Sequence, residues 1–262
     1  MNTAYTLIVR HCHNQLVARG WPASMKISAN LSYRQGDGVA FYDRLDTHAL
    51  LVLLPALAVR GVITEAVAGE LRAVISNSEF SMSLCRTSLS SRYSHAGTIS
   101  IEYDDCPDAM NEGHIDWLFR ALRTEINAVC GSVAADGYRL IEAISPSLRP
   151  TLLERHTRHF VVSVMETEPN DDACAGWDHE MQDSYLDAIL NKNATLCTLE
   201  ISVRCGDIGR VIGRTWVSDV LRLPAEPVRC WFVRDWMRDA LDEAREEIAS
   251  MLLALQSFRP AA

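Results

Sequence analysis

The chain has 262 residues, 48% of them hydrophobic and 23% charged, so it can bury a core as one large domain or two smaller ones and is far from the composition of disorder. Acidic residues outnumber basic ones 34 to 25, for a net charge of −9, and no run of lysine or arginine forms a basic stripe. Direct nucleic-acid binding, which rests on neutralising phosphates, is disfavoured, and an acidic surface suits a basic protein partner better.

In chain order, the first ten residues carry neither a basic leader nor a small-residue cleavage pattern. From Met25 to Arg34 apolar Met25, Ile27, Ala29, Leu31 and Tyr33 alternate with polar residues, the period of a half-buried strand. Gln35-Gly36-Asp37-Gly38 then supplies residues that tolerate positive φ, and Val39 to Tyr42 resumes an apolar run, so a hairpin is expected with Asp37 exposed at its tip. Two helical stretches follow, Thr47 to Val59 and Thr64 to Ile75, separated at Arg60-Gly61. The longest apolar run, Ala49 to Val59, is broken by Pro55 and falls short of the roughly 18 to 20 residues a bilayer span needs. With no membrane segment and no secretory signal, the expected location is the cytoplasm.

A second strand pair is expected at Glu79 to Arg86, with Phe80, Met82 and Leu84 inward, and Thr98 to Tyr103, with Ile99, Ile101 and Tyr103 inward, joined by a serine-rich loop. Ile115, Leu118, Phe119, Leu122, Ile126 and Val129 recur at three and four residues, which predicts an amphipathic helix. Periodicity stops between Ser145 and Pro150, where two prolines mark the expected boundary between an N-terminal domain, residues 1–148, and a C-terminal domain, residues 149–262.

The second half opens with a strand, Phe160 to Met165, and an acidic loop, Glu166 to Asp172. A helix capped by Asp178 carries Met181, Tyr185, Ala188 and Ile189. A hairpin follows, with Cys197, Leu199, Ile201 and Val203 on one face, a turn at Gly206-Asp207 and a return strand over Arg210 to Val220. The last helix is expected over Val233 to Leu255, one face apolar and the other carrying Asp239, Glu243 and Glu246 among its charges. That outer face reads either as a solvated exterior laced with ion pairs or as a partner-binding surface. The resulting fold class is α+β: antiparallel sheets built from hairpins and covered on one face by amphipathic helices. Both halves contain a hairpin followed by a helix, although their residues are not alike enough to define a repeat.

No catalytic or metal motif stands out. Gln35 to Gly38 lacks the lysine of a phosphate loop, and Gly209 to Gly213, inside a strand pattern, reads as a bulge or a close backbone approach. His11-Cys12-His13 and His156 with His159 could contribute zinc ligands, but neither group supplies four converging donors, and no metal or cofactor is expected. The 8 cysteines lie without a CxxC pair and read as buried or half-buried free thiols. Acids at Asp104, Asp105 and Asp108, and at Glu166, Glu168, Asp171 and Asp172, suit solvated loops, a divalent cation or an acid–base pair. Trp216, Trp231, Phe232 and Trp236 should mostly anchor the last helix; any that is exposed beside the acidic face would form an interaction patch.

At Leu31 to Phe41 the sequence resembles a strand–turn–strand motif, usually Ser-Gln-Gly-Asp-Gly, of uncharacterised phage and mobile-element proteins, with Arg34 in place of the serine. Tyr185 to Gly213 resembles a second mobile-element module, a short helix before a hairpin. The resemblance implies a phage or plasmid cargo protein, a group that includes acidic inhibitors of host defence. The leading expectation is a non-enzymatic binding protein of the anti-CRISPR or antirestriction type. It would occupy a basic nucleic-acid-binding surface of a host protein or nucleoprotein complex through Arg34, Gln35, Asp37, Asp104, Asp105, Asp171, Asp172, Asp239, Glu243 and Glu246. The alternatives are a metal-dependent enzyme acting on nucleotide or nucleic acid, and a structural or regulatory homo-oligomer, such as a homodimer, joined through the last helix.

Overall fold

The computed structural model describes residues 3–34, 37–86, 99–144, 150–167, 176–206 and 209–257. Its contacts divide the chain into two units, one of Ala4–Tyr138 and one of Arg139–Ala262 together with Met1–Thr3. The dividing point lies inside a helix, and residues 145–149, where the boundary was expected, are outside the described residues.

The first unit begins with α1, Thr3–Ala18, which buries Leu7, Ile8, Cys12 and Leu16 at helical spacing. Strand β1, Lys26–Asn30, pairs antiparallel with β2, Gly38–Leu45, in the register Lys26 opposite Tyr42 through Asn30 opposite Gly38. The expected strand to Arg34 therefore ends four residues early. The Asp37 carboxylate accepts from the Ser32 and Arg34 backbone N–H groups, which folds Leu31–Arg34 into the turn.

Helix α2, Thr47–Val59, starts where the Asp46 side chain accepts from the Ala49 N–H, and α3, Glu65–Ile75, where Thr64 accepts from Val67. The second pair, β3, Ser81–Arg86, and β4, Ile99–Asp104, completes a four-stranded sheet in the order β1-β2-β3-β4. Phe80, Met82 and Leu84 are buried as the alternation requires. Tyr103 is not: on the edge strand it is 42% exposed, its ring flanked by Phe80 and Phe119. Helix α4, Glu112–Ile144, is capped by the Asn111 side chain and runs far beyond the expected Val129, burying Val133, Leu140 and Ile144 on the same phase.

The second unit repeats the pattern of hairpin, helix, hairpin, helix. Strands β5, Thr151–His156, and β6, Phe160–Thr167, precede α5, His179–Lys192, which is capped by Asp178 as expected. Strands β7, Thr195–Cys205, and β8, Val211–Arg222, complete an antiparallel sheet ordered β5-β6-β7-β8. A short helix, α6, Val228–Trp231, precedes α7, Asp235–Ser257, so the last helix begins two residues later than the periodicity suggests. The core of this unit joins Val164, Cys197, Leu199, Ile201, Val203 and Val220 of the sheet to Ala240 and Ala244 of α7.

The architecture is thus α+β with two antiparallel hairpin sheets. Among the described residues no helix is long and apolar enough to cross a membrane.

A groove between strand β8 and helix α7

Helix α7 approaches β8 closely at Gly213. A Cβ on Gly213 would lie 2.1 Å from the Ala240 carbonyl oxygen and 2.9 Å from the Ala244 Cβ, so glycine on the strand and two alanines on the helix let the backbones meet. Of the bulge or close backbone approach expected for Gly209 to Gly213, Gly213 makes the close approach and the ladder is irregular opposite Val203 and Arg204, while Gly209 has no atom within 4 Å of an added Cβ. Beside it the two elements leave a depression of about 640 Å³ whose lining includes Val211, Arg214, Trp216, Glu243, Glu246 and Glu247.

Strand β8 is the last in its sheet, so the outward N–H and C=O groups of its free edge have no strand partner among the described residues. One of them is satisfied by a side chain: Glu243 Oε2 accepts from the Arg214 backbone N–H at 2.6 Å. The Arg214 guanidinium turns to Glu200 at 3.1 Å and lies over the Trp216 ring, 5.7 Å from its centroid. Trp216 itself is 57% exposed. Glu247 is held by Arg210 at 2.6 Å, while Glu246 is exposed on the rim. The other aromatic residues of this region, Trp231, Phe232 and Trp236, pack against the core, so the anchoring role expected for the group falls to these three and Trp216 is the ring left exposed.

The other sequence-derived candidates are dispersed. Arg34 is exposed, and its backbone N–H is used by Asp37. The Asp37 carboxylate is engaged within its own unit, accepting also from the Ser32 hydroxyl and, at 3.0 Å, from the Tyr138 hydroxyl. Partial burial alone would raise its pKa, but the backbone bonds from Ser32 and Arg34, with the two hydroxyl bonds, outweigh that and hold it at about 2. It is a staple of the turn and not the free tip residue expected. Asp104 and Asp105 are exposed at the end of β4, Asp105 with φ 56°. Asp239 is exposed on α7 but does not line the groove. Gln35, Asp171 and Asp172 lie outside the described residues. Of the seven candidates among the described residues, Glu243 and Glu246 line this cavity together.

Two buried carboxylates are structural. Glu125, 2% exposed, is bridged by Arg19 at 3.2 Å and Arg60 at 2.8 Å. Glu166, expected in a loop, belongs to β6 and is buried, paired at 3.1 Å with Arg222, which in turn lies over Trp231. Burial raises its pKa and Arg222 opposes the shift. Beside it the Cys197 thiol is pushed up to about 12, mainly by burial, and Cys12 and Cys130 are raised to the same level for the same reason. Cys85 and Cys205 are half-buried, but Cys106 and Cys230 are exposed, contrary to the expectation of buried or half-buried thiols throughout.

Two of the candidate histidines have partners of their own: His11 shares a hydrogen bond with Asp136 at 3.0 Å, and His156 pairs with Glu154. Among the described residues no group of three or more His, Cys, Asp or Glu side chains is placed to hold a metal ion.

Fold and groove together define an α+β module with an open sheet edge beside an acidic helix. Residues 150–258, which contain this sheet, α7 and the groove, match the family described as the C-terminal domain of YubG. No solved structure matches the chain.

Proposed function

We propose that this is a non-enzymatic binding protein whose β8–α7 groove engages a cationic surface of a protein or nucleoprotein complex. The observation that supports the reading is the grouping of Glu243, Glu246 and Glu247 beside exposed Trp216 in one depression. Carboxylates favour a positive partner, and an exposed indole supplies the apolar anchor that such interfaces concentrate on. The acidic surface is narrower than the sequence suggested, because Asp37 is consumed by its own turn and Asp104, Asp105 and Asp239 lie outside the groove.

In its specific form the proposal makes the chain a cytoplasmic, mobile-element inhibitor of a host defence complex, of the anti-CRISPR or antirestriction type. That form rests on the resemblance at Leu31 to Phe41 and Tyr185 to Gly213. Carboxylates of the groove would stand where the complex otherwise receives nucleic-acid phosphates.

The test compares the full chain with its Glu243→Lys/Glu246→Lys variant. Each is used to capture partners from a defence-competent bacterial lysate, and the captured complex is then titrated between about 0.05 and about 0.5 M salt. The native chain should retain a partner with a basic surface, lose affinity as salt rises and suppress restriction or interference in vivo, and the variant should do none of these. Equal capture and inhibition by both proteins would refute the assignment of the groove.

A further inference from the structure

We infer that the groove takes its partner as an added β-strand: an extended, lysine- or arginine-bearing segment that pairs with the outer edge of β8. The inference rests on the binding reading above and specifies the form of the ligand.

The first support is the edge itself. In the β7–β8 ladder Ser202 stands opposite Arg214 and Glu200 opposite Trp216. In an antiparallel pair the residues that point their N–H and C=O groups away from the partner strand alternate, so an outward Arg214 N–H implies an outward Trp216 N–H and C=O. The Arg214 N–H is outward, because it donates to a side chain on α7 and not to β7. Among the described residues no strand pairs with this edge, and the side chains of Arg214 and Trp216 on it are exposed.

The second support is what now occupies the edge. Glu243 places a carboxylate oxygen 2.6 Å from the Arg214 N–H, the position a carbonyl of an incoming strand would take. A peptide carbonyl can displace that carboxylate, and the freed Glu243 then faces the segment together with Glu246 and Glu247. The exchange keeps the Arg214 N–H bonded and leaves the carboxylates of Glu243 and Glu246 along one side of the added strand, with Glu247 already paired to Arg210.

The third support is charge. A cation on every second residue of an extended segment would face those carboxylates, because side chains alternate between the two faces. A second copy of this chain, pairing edge to edge about a two-fold axis, would bring its own Glu243, Glu246 and Glu247 to the interface, a like-charge arrangement that opposes self-pairing. Trp216, in register with Glu200 on the face of β8 away from the core, would flank the other side of the segment.

The test uses the full chain and a fluorescein-labelled decapeptide of alternating lysine and valine, followed by fluorescence anisotropy. Two further peptides carry backbone N-methyl groups, one on the central lysines and the other on the central valines. Strand addition requires saturable binding of the parent peptide, loss of at least about ten-fold for one methylated set and near-unchanged affinity for the other, since only alternate N–H groups face β8. Glu243→Gln should weaken the parent peptide several-fold.

No saturable binding, or equal tolerance of both methylated sets, overturns the inference. If both sets bind alike while Glu243→Lys/Glu246→Lys abolishes binding, strand pairing falls and the electrostatic reading survives. If the methylation pattern holds but charge reversal changes nothing, the electrostatic reading falls instead. A concentration-dependent dimer that the peptide dissociates would overturn the choice of occupant.

Discussion

Replacing Gly213 by alanine puts a methyl carbon 2.1 Å from the Ala240 carbonyl oxygen, 2.7 Å from the Ala244 nitrogen and 2.9 Å from the Ala244 Cβ. Ordinary contact starts near 3.4 Å, so α7 and β8 must separate by about 1.3 Å along the tightest line. Two of the three atoms are backbone, and no rotamer change relieves them. A gap of about 1 Å forfeits a quarter to a half of the dispersion energy of the atoms on either side, and here it opens along the helix that covers the second core. Overpacking of this kind costs about 3 kcal/mol, or roughly 6–12 °C in thermal midpoint for a chain of this size. Gly61, with φ +72° and no atom within 4 Å of the same added carbon, provides the control. Alanine there should lose only about 1 kcal/mol of backbone strain. Urea unfolding of both variants, followed by tryptophan fluorescence, measures the difference. A Gly213→Ala variant no less stable than Gly61→Ala would refute the close approach of α7 to β8.

The Asp37 carboxyl is depressed in the folded chain, so its contribution is fully present above about pH 4 and is lost as pH falls towards about 2; Asp37→Asn should flatten that part of the acid-stability curve. Arg222→Met leaves the Glu166 carboxylate buried without its cation and should cost about 3 kcal/mol in chemical denaturation, against under about 1 kcal/mol for Glu166→Gln. Because burial raises the Glu166 pKa, the folded state holds its proton to higher pH than the unfolded chain does, and Glu166→Gln should also lessen the fall in stability as pH rises above the ordinary carboxylate range. Under native conditions a thiol reagent should label Cys106 and Cys230 quickly and leave Cys12, Cys130 and Cys197 unmodified until denaturant is added, which mass spectrometry of the labelled peptides would resolve.

The elements legible from sequence were those in which one period dominates. Helix α2 combines a leucine-rich run with an Asp46 cap, and β7 alternates through Leu199, Ile201 and Val203. Strand β5 escaped notice because Glu154, Arg155 and His156 fill half of an exposed edge strand with charge. The full length of α4 was hidden by Gly131 and Gly137, residues that lower helix propensity. An added Cβ at Gly137 would meet the Leu31 Cδ1, the movable end of a flexible side chain.

At the site, Glu243 and Glu246 were legible as acids of a helix exterior. What could not be read was that they border a cavity, which depends on where Gly213 lets the helix cross. Asp37 was misjudged for a similar reason: one of the groups that binds it, the Tyr138 hydroxyl, comes from a helix 101 residues away.

Any sheet with two open borders can seed fibrils by stacking edge upon edge. In the second sheet one border, β5, carries exposed Glu154 and Arg155, ionic side chains of the kind that blunt a sheet edge. The other border is guarded by Glu243, a borrowed oxygen plugging the Arg214 amide. A Glu243→Leu variant should therefore aggregate more readily than the native chain even where its fold is intact, because the Arg214 amide then loses its side-chain acceptor.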